Sequence, residues 1–185
     1  MNRKELGRQV IHVLIGIALI IFIFMFGKTK LVALTFFTLL IGSVLINMKL
    51  LGQKIGMAEW FEKQFEREDA LLPGWGSAWY VAGFLLLATV LTDTNQIAAG
   101  IFVLGISDAA STIVGKTIGR HKLPYNKNKS IEGTIAFFIS ALPAWFFVGE
   151  IIIPVALFAA LIESLPLKID DNITIPLACI IVFLW

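Results

Sequence analysis

The stretch Gly105–Thr134, GISDAASTIVGKTIGRHKLPYNKNKSIEGT, holds the densest set of residues able to do chemistry. It begins with Asp108 inside an apolar run. An ionised carboxylate there costs several kcal/mol in hydrocarbon unless it is paired, hydrated or metal-bound. Ser111, Thr112 and Gly115 follow three, four and seven residues on, so all four share one helical face. Gly105 and Ala109, four apart, would let a neighbouring helix approach closely. Asp108 is therefore expected to point into a bundle, near one end of its helix.

Gly115 and Gly119 then open a loop carrying Lys116, Arg120, His121, Lys122, Lys127 and Lys129. Glycines let backbone amides come close to phosphate oxygens, and the cations offset phosphate charge. Lys129-Ser130, with Gly133 opening the next helix, would set N–H donors and a positive dipole end at an anion. Glu132 adds a carboxylate at the same helix start. A basic loop can also do no more than enforce membrane topology, but a buried acid just before it argues for a site.

More acids fall nearby in the expected topology. Glu163 ends one apolar run and Asp170-Asp171-Asn172 precede the last. The latter triplet can simply cap a helix. Together, though, Asp108, Glu132, Glu163, Asp170 and Asp171 supply oxygen ligands of the kind Mg²⁺ takes, with Mn²⁺ as a substitute. Triphosphate chemistry uses such an ion to bridge phosphate oxygens. Arg8 and His12, four apart where the first helix enters the membrane, are candidate phosphate or acid–base contacts.

The elements that position these residues are apolar helices. Of 185 residues 58% are hydrophobic and 15% charged, and the mean hydropathy is +0.86. A soluble domain of this length needs more polar surface, so the chain is expected to be one all-α domain, 1–185, embedded in a bilayer. About seven spans are expected from runs near the length a crossing helix needs, at Val10–Phe26, Leu31–Met48, Ser77–Leu91, Gln96–Val114, Gly133–Gly149, Ile151–Pro166 and Ile173–Trp185. The first is longer than a signal-peptide core and lacks a small-residue cleavage site, so it is read as retained. Of 15 Lys and Arg, only Lys28 and Lys30 fall on the side opposite the amino terminus. The positive-inside rule then puts that terminus, and every long polar loop, in the cytosol. Ala58–Ala70 reads as a short interfacial amphipathic helix, with Trp60, Trp75, Trp79 and Tyr80 at headgroup level. Cys179, the single cysteine, excludes an internal disulfide and a cysteine metal site.

The set Arg8-(three)-His12-(three)-Gly16, Asp108-Ala-Ala-Ser111-(three)-Gly115-(three)-Gly119-Arg120, Lys129-Ser130-Ile-Glu132-Gly133-Thr134, Glu163 and Asp170-Asp171-Asn172 resembles the dolichol kinase and phytol kinase family. The resemblance runs from the first span to the last. It implies a CTP-dependent, Mg²⁺-dependent kinase of isoprenoid alcohols, integral to the membrane and with its site on the cytosolic face. The central stretch is also similar to the CDP-diacylglycerol synthase family, in which a lipid phosphate attacks the α-phosphorus of CTP. The Asp-Asp-Asn element and the small size look more like the kinase. The preference for CTP comes from the resemblance alone.

In the expected mechanism Asp108 holds Mg²⁺ or accepts the hydroxyl proton, two roles the sequence does not separate, and His12 and Glu132 are further catalytic candidates. Arg8, Lys116, Arg120, Lys122 and Lys129 clamp phosphates, with Ser111, Gly115, Gly119, Ser130 and Gly133 in close contact. Glu132, Glu163, Asp170, Asp171 and Asn172 are metal ligands or orient them. The alcohol reaches the site from the bilayer through a lateral opening lined by Phe, Leu and Ile. Membrane lipids and a second copy of the chain are expected partners, and nucleic acid is not. The rivals are a lipid-phosphate cytidylyltransferase and a small transporter using Asp108 and Glu163; a purely structural subunit ranks last, because it leaves the buried acid without a purpose. The account requires Asp108 and the Asp-Asp-Asn turn to lie at the same membrane face.

Overall fold

The computed structural model describes residues 1–56, 59 and 74–185. The expected interfacial helix Ala58–Ala70 lies, but for Glu59, outside the described residues. The rest is helical because each apolar run begins at a capping residue or a turn. Helix α1 (Arg3–Phe26) starts seven residues before the expected Val10. Asn2 caps it, its side chain accepting from the Glu5 N–H at 2.8 Å. Gly27, at φ 81°, breaks the chain between α1 and α2 (Lys28–Leu50). Helix α3 spans Trp75–Val90.

Asp93 caps the next helix, accepting from the Asn95 N–H at 2.7 Å. That helix runs without a break through α4 (Thr94–Phe102), a π turn (Val103–Ser107) and α5 (Asp108–Thr117). The Asp108 N–H donates to the Val103 carbonyl, closing the wide turn. One-turn π bulges of this kind are frequent at functional sites. Helix α6 (Ile131–Ala141) follows, capped by Ser130. Short turns, with α7 (Trp145–Val148) between them, carry the chain round Gly149, at φ 63°, into α8 (Ile152–Ser164). Finally, α9 (Asp171–Leu184) is capped by Asp170.

By length and composition four helical runs can cross a membrane: Arg3–Phe26, Lys28–Leu50, Thr94–Thr117 and Ile131–Ser164. Trp75–Val90 and Asp171–Leu184 are shorter apolar helices. The run Ile131–Ser164, which the sequence divides in two at Gly149, does fold back there. Helices α6 and α8 pack side by side, and the loop before α6 bonds the end of α8 through Asn126 Nδ2 and the Ser164 carbonyl at 2.9 Å.

Thr94–Thr117 is the central element: 67% of its apolar 18-residue stretch is buried, against 17% for that of α1 and 11% for that of α2. Its Ile97 and Ile101 are fully buried, as are Phe84, Leu87, Phe137 and Ile175 around it. The outer faces of α1 and α2 expose Leu14, Ile21, Phe37 and Ile41, as helices facing lipid do. Helix α1 crosses the π turn where two glycines meet. A Cβ on Gly16 would stand 3.3 Å from Gly105 Cα, and one on Gly105 would stand 3.0 Å from the Tyr80 hydroxyl. Small residues at such crossings let helix backbones touch, and here they bring the first turns of α1 alongside Asp108. Tyr80, expected at headgroup level, is instead 2% exposed. Its ring stacks on His12 with centroids 4.0 Å apart, and its hydroxyl donates to the His12 carbonyl at 2.6 Å.

Candidate active site

Many of the site residues singled out in the sequence gather at one end of this bundle. The first turns of α1, one face of α5, the end of the loop before α6 (residues 128–130) and the facing ends of α6, α8 and α9 surround a cavity of about 450 Å³. Asp108, Glu163 and Asp171 each bring a carboxylate oxygen to within 4.8 Å of the others. Asp108 and the Asp-Asp-Asn turn therefore lie at the same end of the bundle. Asp108 and Glu163 are 9% and 1% exposed, so their charges need compensation.

Lys129 supplies much of it. Its Nζ donates to Asp171 Oδ2 at 2.8 Å and also pairs with Glu163. Burial alone would push its ammonium toward neutrality, but Asp171, Glu163 and Asp108 outweigh that and hold it above its usual range. Ser111 Oγ donates to Glu163 Oε1 at 3.0 Å. Glu163 Oε2 is buried and has no hydrogen-bond partner among the described residues. An all-oxygen donor set with an open valence at its centre fits a hard divalent cation.

A second group of charges faces the acids from α1. Glu5 Oε1 accepts from Arg8 at 2.7 Å, from Gln9 Nε2 at 2.9 Å and pairs with Lys116 at 3.1 Å. Glu5 thus holds two cations on the rim, and Lys4 lines the same cavity. Sequence reasoning missed Asn2, Lys4, Glu5, Gln9 and Asn128, which also line the cavity. The signal was present for two of them, since Glu5, Arg8, Gln9 and His12 recur at helical spacing and form one polar face.

Of the expected residues, Arg8, His12, Asp108, Ser111, Gly115, Lys116, Lys129, Ser130, Gly133, Glu163 and Asp171 line the cavity. The others do not. Glu132 is turned into the loop, where its carboxylate accepts from the Arg120 and His121 N–H groups at 3.2 and 3.1 Å and meets His121 Nδ1 at 2.7 Å. Asp170 Oδ1 accepts from both the backbone N–H and Nδ2 of Asn172, at 3.0 and 2.8 Å, as a helix cap.

Arg120 and Lys122 are exposed and do not line the cavity. Several of the loop's amides are committed within the loop: Leu123 N donates to Lys129 O and Ile131 N to His121 O. Gly115 lies within α5 rather than opening the loop, and with Gly119 and Gly133 it provides packing space. A Cβ on Gly119 would collide with the Gly115 carbonyl and Ser130 Oγ, and one on Gly133 would stand 3.1 Å from the Ser111 carbonyl. Ser130 Oγ caps α6, accepting from the Gly133 N–H at 3.2 Å.

Known proteins resemble the chain over nearly its full length. The chain is 32% identical over 203 residues to a protein of Glycine max named probable phytol kinase 3, chloroplastic, covering 97% of this chain and 62% of that one. It is 30% identical over 182 residues to an uncharacterised protein of Methanocaldococcus jannaschii, covering 94% and 89%. It is 29% identical over 197 residues to an Arabidopsis thaliana protein named farnesol kinase, chloroplastic, covering 94% and 63%. No family model matches the chain, and no solved structure matches it. The chain belongs to the phytol and polyprenol kinase family, and it spans about 62% of the length of the soybean relative.

Proposed function

We propose that this chain is a membrane kinase that moves the γ-phosphoryl group of CTP to the hydroxyl of an isoprenoid alcohol. One observation carries the reading: three carboxylates and a lysine gather around a 450 Å³ cavity at the end of a membrane bundle. The names phytol kinase and farnesol kinase borne by two relatives support the acceptor class. The choice of CTP rests on the sequence resemblance. The bias of Lys and Arg toward this end of the chain favours a cytosolic site.

Asp108, Glu163 and Asp171 would hold Mg²⁺, or Mn²⁺ in its place. Such an ion neutralises phosphate charge in the transition state. Lys4, Arg8, Lys116 and Lys129 line the cavity as phosphate contacts, and Glu5 fixes two of them. In the transfer, the alcohol oxygen bonds to the γ-phosphorus as the bond from that phosphorus to the β–γ bridging oxygen breaks. CDP leaves with that electron pair, and the hydroxyl proton passes to a carboxylate oxygen of the cluster. The protein's share of such catalysis is positioning and charge stabilisation. Glu132 and Asp170 act one step back, holding the loop and the start of α9.

The test uses purified protein in lipid nanodiscs, offered γ-labelled CTP, ATP, GTP and UTP with phytol, farnesol, geranylgeraniol and longer polyprenols. The reading expects label on the alcohol, with CTP the best donor. Label released as pyrophosphate would mean a cytidylyltransferase instead.

A further inference from the structure

A second cavity, of about 220 Å³, shares Arg8 and His12 with the charged one. It runs between α1 and α3 and is walled by Ile11, Ile15 and Val81, with Asn172 at its inner part. From this we infer that Asn172 Oδ1 receives the hydrogen bond of the substrate's hydroxyl, while the groove between α1 and α3 holds the isoprene units next to it. The inference rests on the kinase reading above and names how its acceptor is bound.

Asn172 is 2% exposed. Its Nδ2 is committed to Asp170 Oδ1 at 2.8 Å, which fixes the amide's orientation and makes Oδ1 the remaining acceptor. Among the described residues that oxygen has no hydrogen-bond partner, and neither has the buried Arg8 Nε. A buried polar atom left unpaired is costly, and a site for a ligand is one reason to keep it so. A hydroxyl group is the ligand that answers both, since it donates to the amide oxygen and accepts from the guanidinium.

The placing also suits transfer. Asn172 follows Asp171, one of the three clustered acids, so a hydroxyl held by its amide oxygen lies beside the carboxylate site and turns its O–H from the amide, which takes no proton, to that carboxylate as transfer begins. Its backbone is held in turn by α3, where a Cβ on Gly83 would collide with the Asn172 carbonyl. A branched apolar chain then leaves along Ile11, Ile15 and Val81, and Ile15 is 38% exposed on the face turned to lipid. This groove is the lateral opening that a substrate dissolved in the bilayer requires. A larger groove of about 330 Å³ between α8 and α9, walled by Pro154, Leu157, Phe158, Leu161 and Ile181, has no polar group along it. It can hold a lipid tail, but it offers nothing to a hydroxyl.

Photolabelling reads the groove directly. The full chain in nanodiscs is irradiated with a farnesol carrying a diazirine on its tail, with and without excess farnesol, and adducts are mapped by mass spectrometry. Adducts on residues 11–15 and 76–81 that farnesol suppresses are expected. Suppressible adducts on the α8–α9 groove, or none that farnesol suppresses, would overturn the inference.

Kinetics read the hydroxyl contact. Asn172→Ala should raise the KM for farnesol about tenfold, the worth of one lost hydrogen bond, and leave the KM for CTP within about twofold. Val81→Trp should raise the KM for farnesol in the same direction by filling the groove, and it serves where Asn172→Ala does not fold. A rise in the KM for CTP alone would overturn the assignment while the kinase reading stands. Wild-type protein that labels no alcohol from γ-labelled CTP would instead remove the kinase reading itself.

Discussion

Lys129 Nζ donates to Asp171 Oδ2 at 2.8 Å, tying the loop before α6 to the first turn of α9. The same ammonium pairs with Glu163 at the end of α8. One side chain thus joins three segments that are far apart in sequence, and it does so at the acids that define the site. Replacing it by Met leaves three carboxylates without their cation. Lys129→Met is expected to lower phosphoryl transfer by about a hundredfold or more and to destabilise the protein by about 3–5 kcal/mol, the cost of breaking a buried ion pair from one side. Labelled-product assays and thermal unfolding in detergent check the two effects.

The charge on Lys129 also sets a pH expectation. Its folded-state value is raised by Asp171, Glu163 and Asp108, which outweigh burial. A raised value means stabilisation that is fully present below the ordinary lysine value of 10.5 and lost as pH climbs through the higher folded one. The melting-temperature gap between wild type and Lys129→Met should therefore stay constant from about pH 7 to 9 and narrow only above the ordinary value of 10.5. A gap that closes near pH 8 would contradict the ion-paired assignment.

Glu163→Gln keeps the shape of the cluster and its bond to Ser111 but removes one negative ligand. The Mg²⁺ concentration giving half-maximal activity is expected to rise by about tenfold or more, as expected when a metal centre loses one of its ligands or their close partners. Chelation with EDTA should abolish transfer in the wild type, and Mn²⁺ should restore it. Activity that survives chelation would remove the metal from the scheme.

The crossing of α1 over the π turn is a packing prediction. Gly16→Leu must force Gly105 and Tyr80 apart, so a loss of about 1–3 kcal/mol in stability is expected. Gly42, which has nothing within 4 Å of where a Cβ would stand, should accept Ala with no measurable change. Thermal unfolding of both variants gives the comparison.

Much of this was legible in the sequence. The apolar runs predict the helices closely, because in lipid a backbone must satisfy its own hydrogen bonds and helices do so. The spacing of Asp108, Ser111, Thr112 and Gly115 predicts one face, and all four line the cavity. The gathering of Glu163 and Asp171 beside Asp108 follows from chain direction once the spans are drawn.

The rest depended on contacts the chain order does not reveal. Glu132 looks like a ligand because it stands by Lys129-Ser130, yet its carboxylate serves the His121 and Arg120 amides across the loop. The extra residue in the π turn, which sets Asp108 against α1, leaves no mark in hydrophobic periodicity. Glu5 reads as an ordinary helix-start acid until Lys116 is seen to reach it at 3.1 Å.

Asp108 lies in the acidic cluster and lines the cavity on which the proposal rests, and its removal is the sharpest test. Transfer of label from γ-labelled CTP to farnesol should be measured in matched nanodiscs of wild type and Asp108→Asn, with folding checked by thermal unfolding. The account predicts labelled farnesyl phosphate from the wild type and a fall of about a thousandfold or more in the variant. A folded Asp108→Asn protein that transfers label at close to the wild-type rate would contradict it.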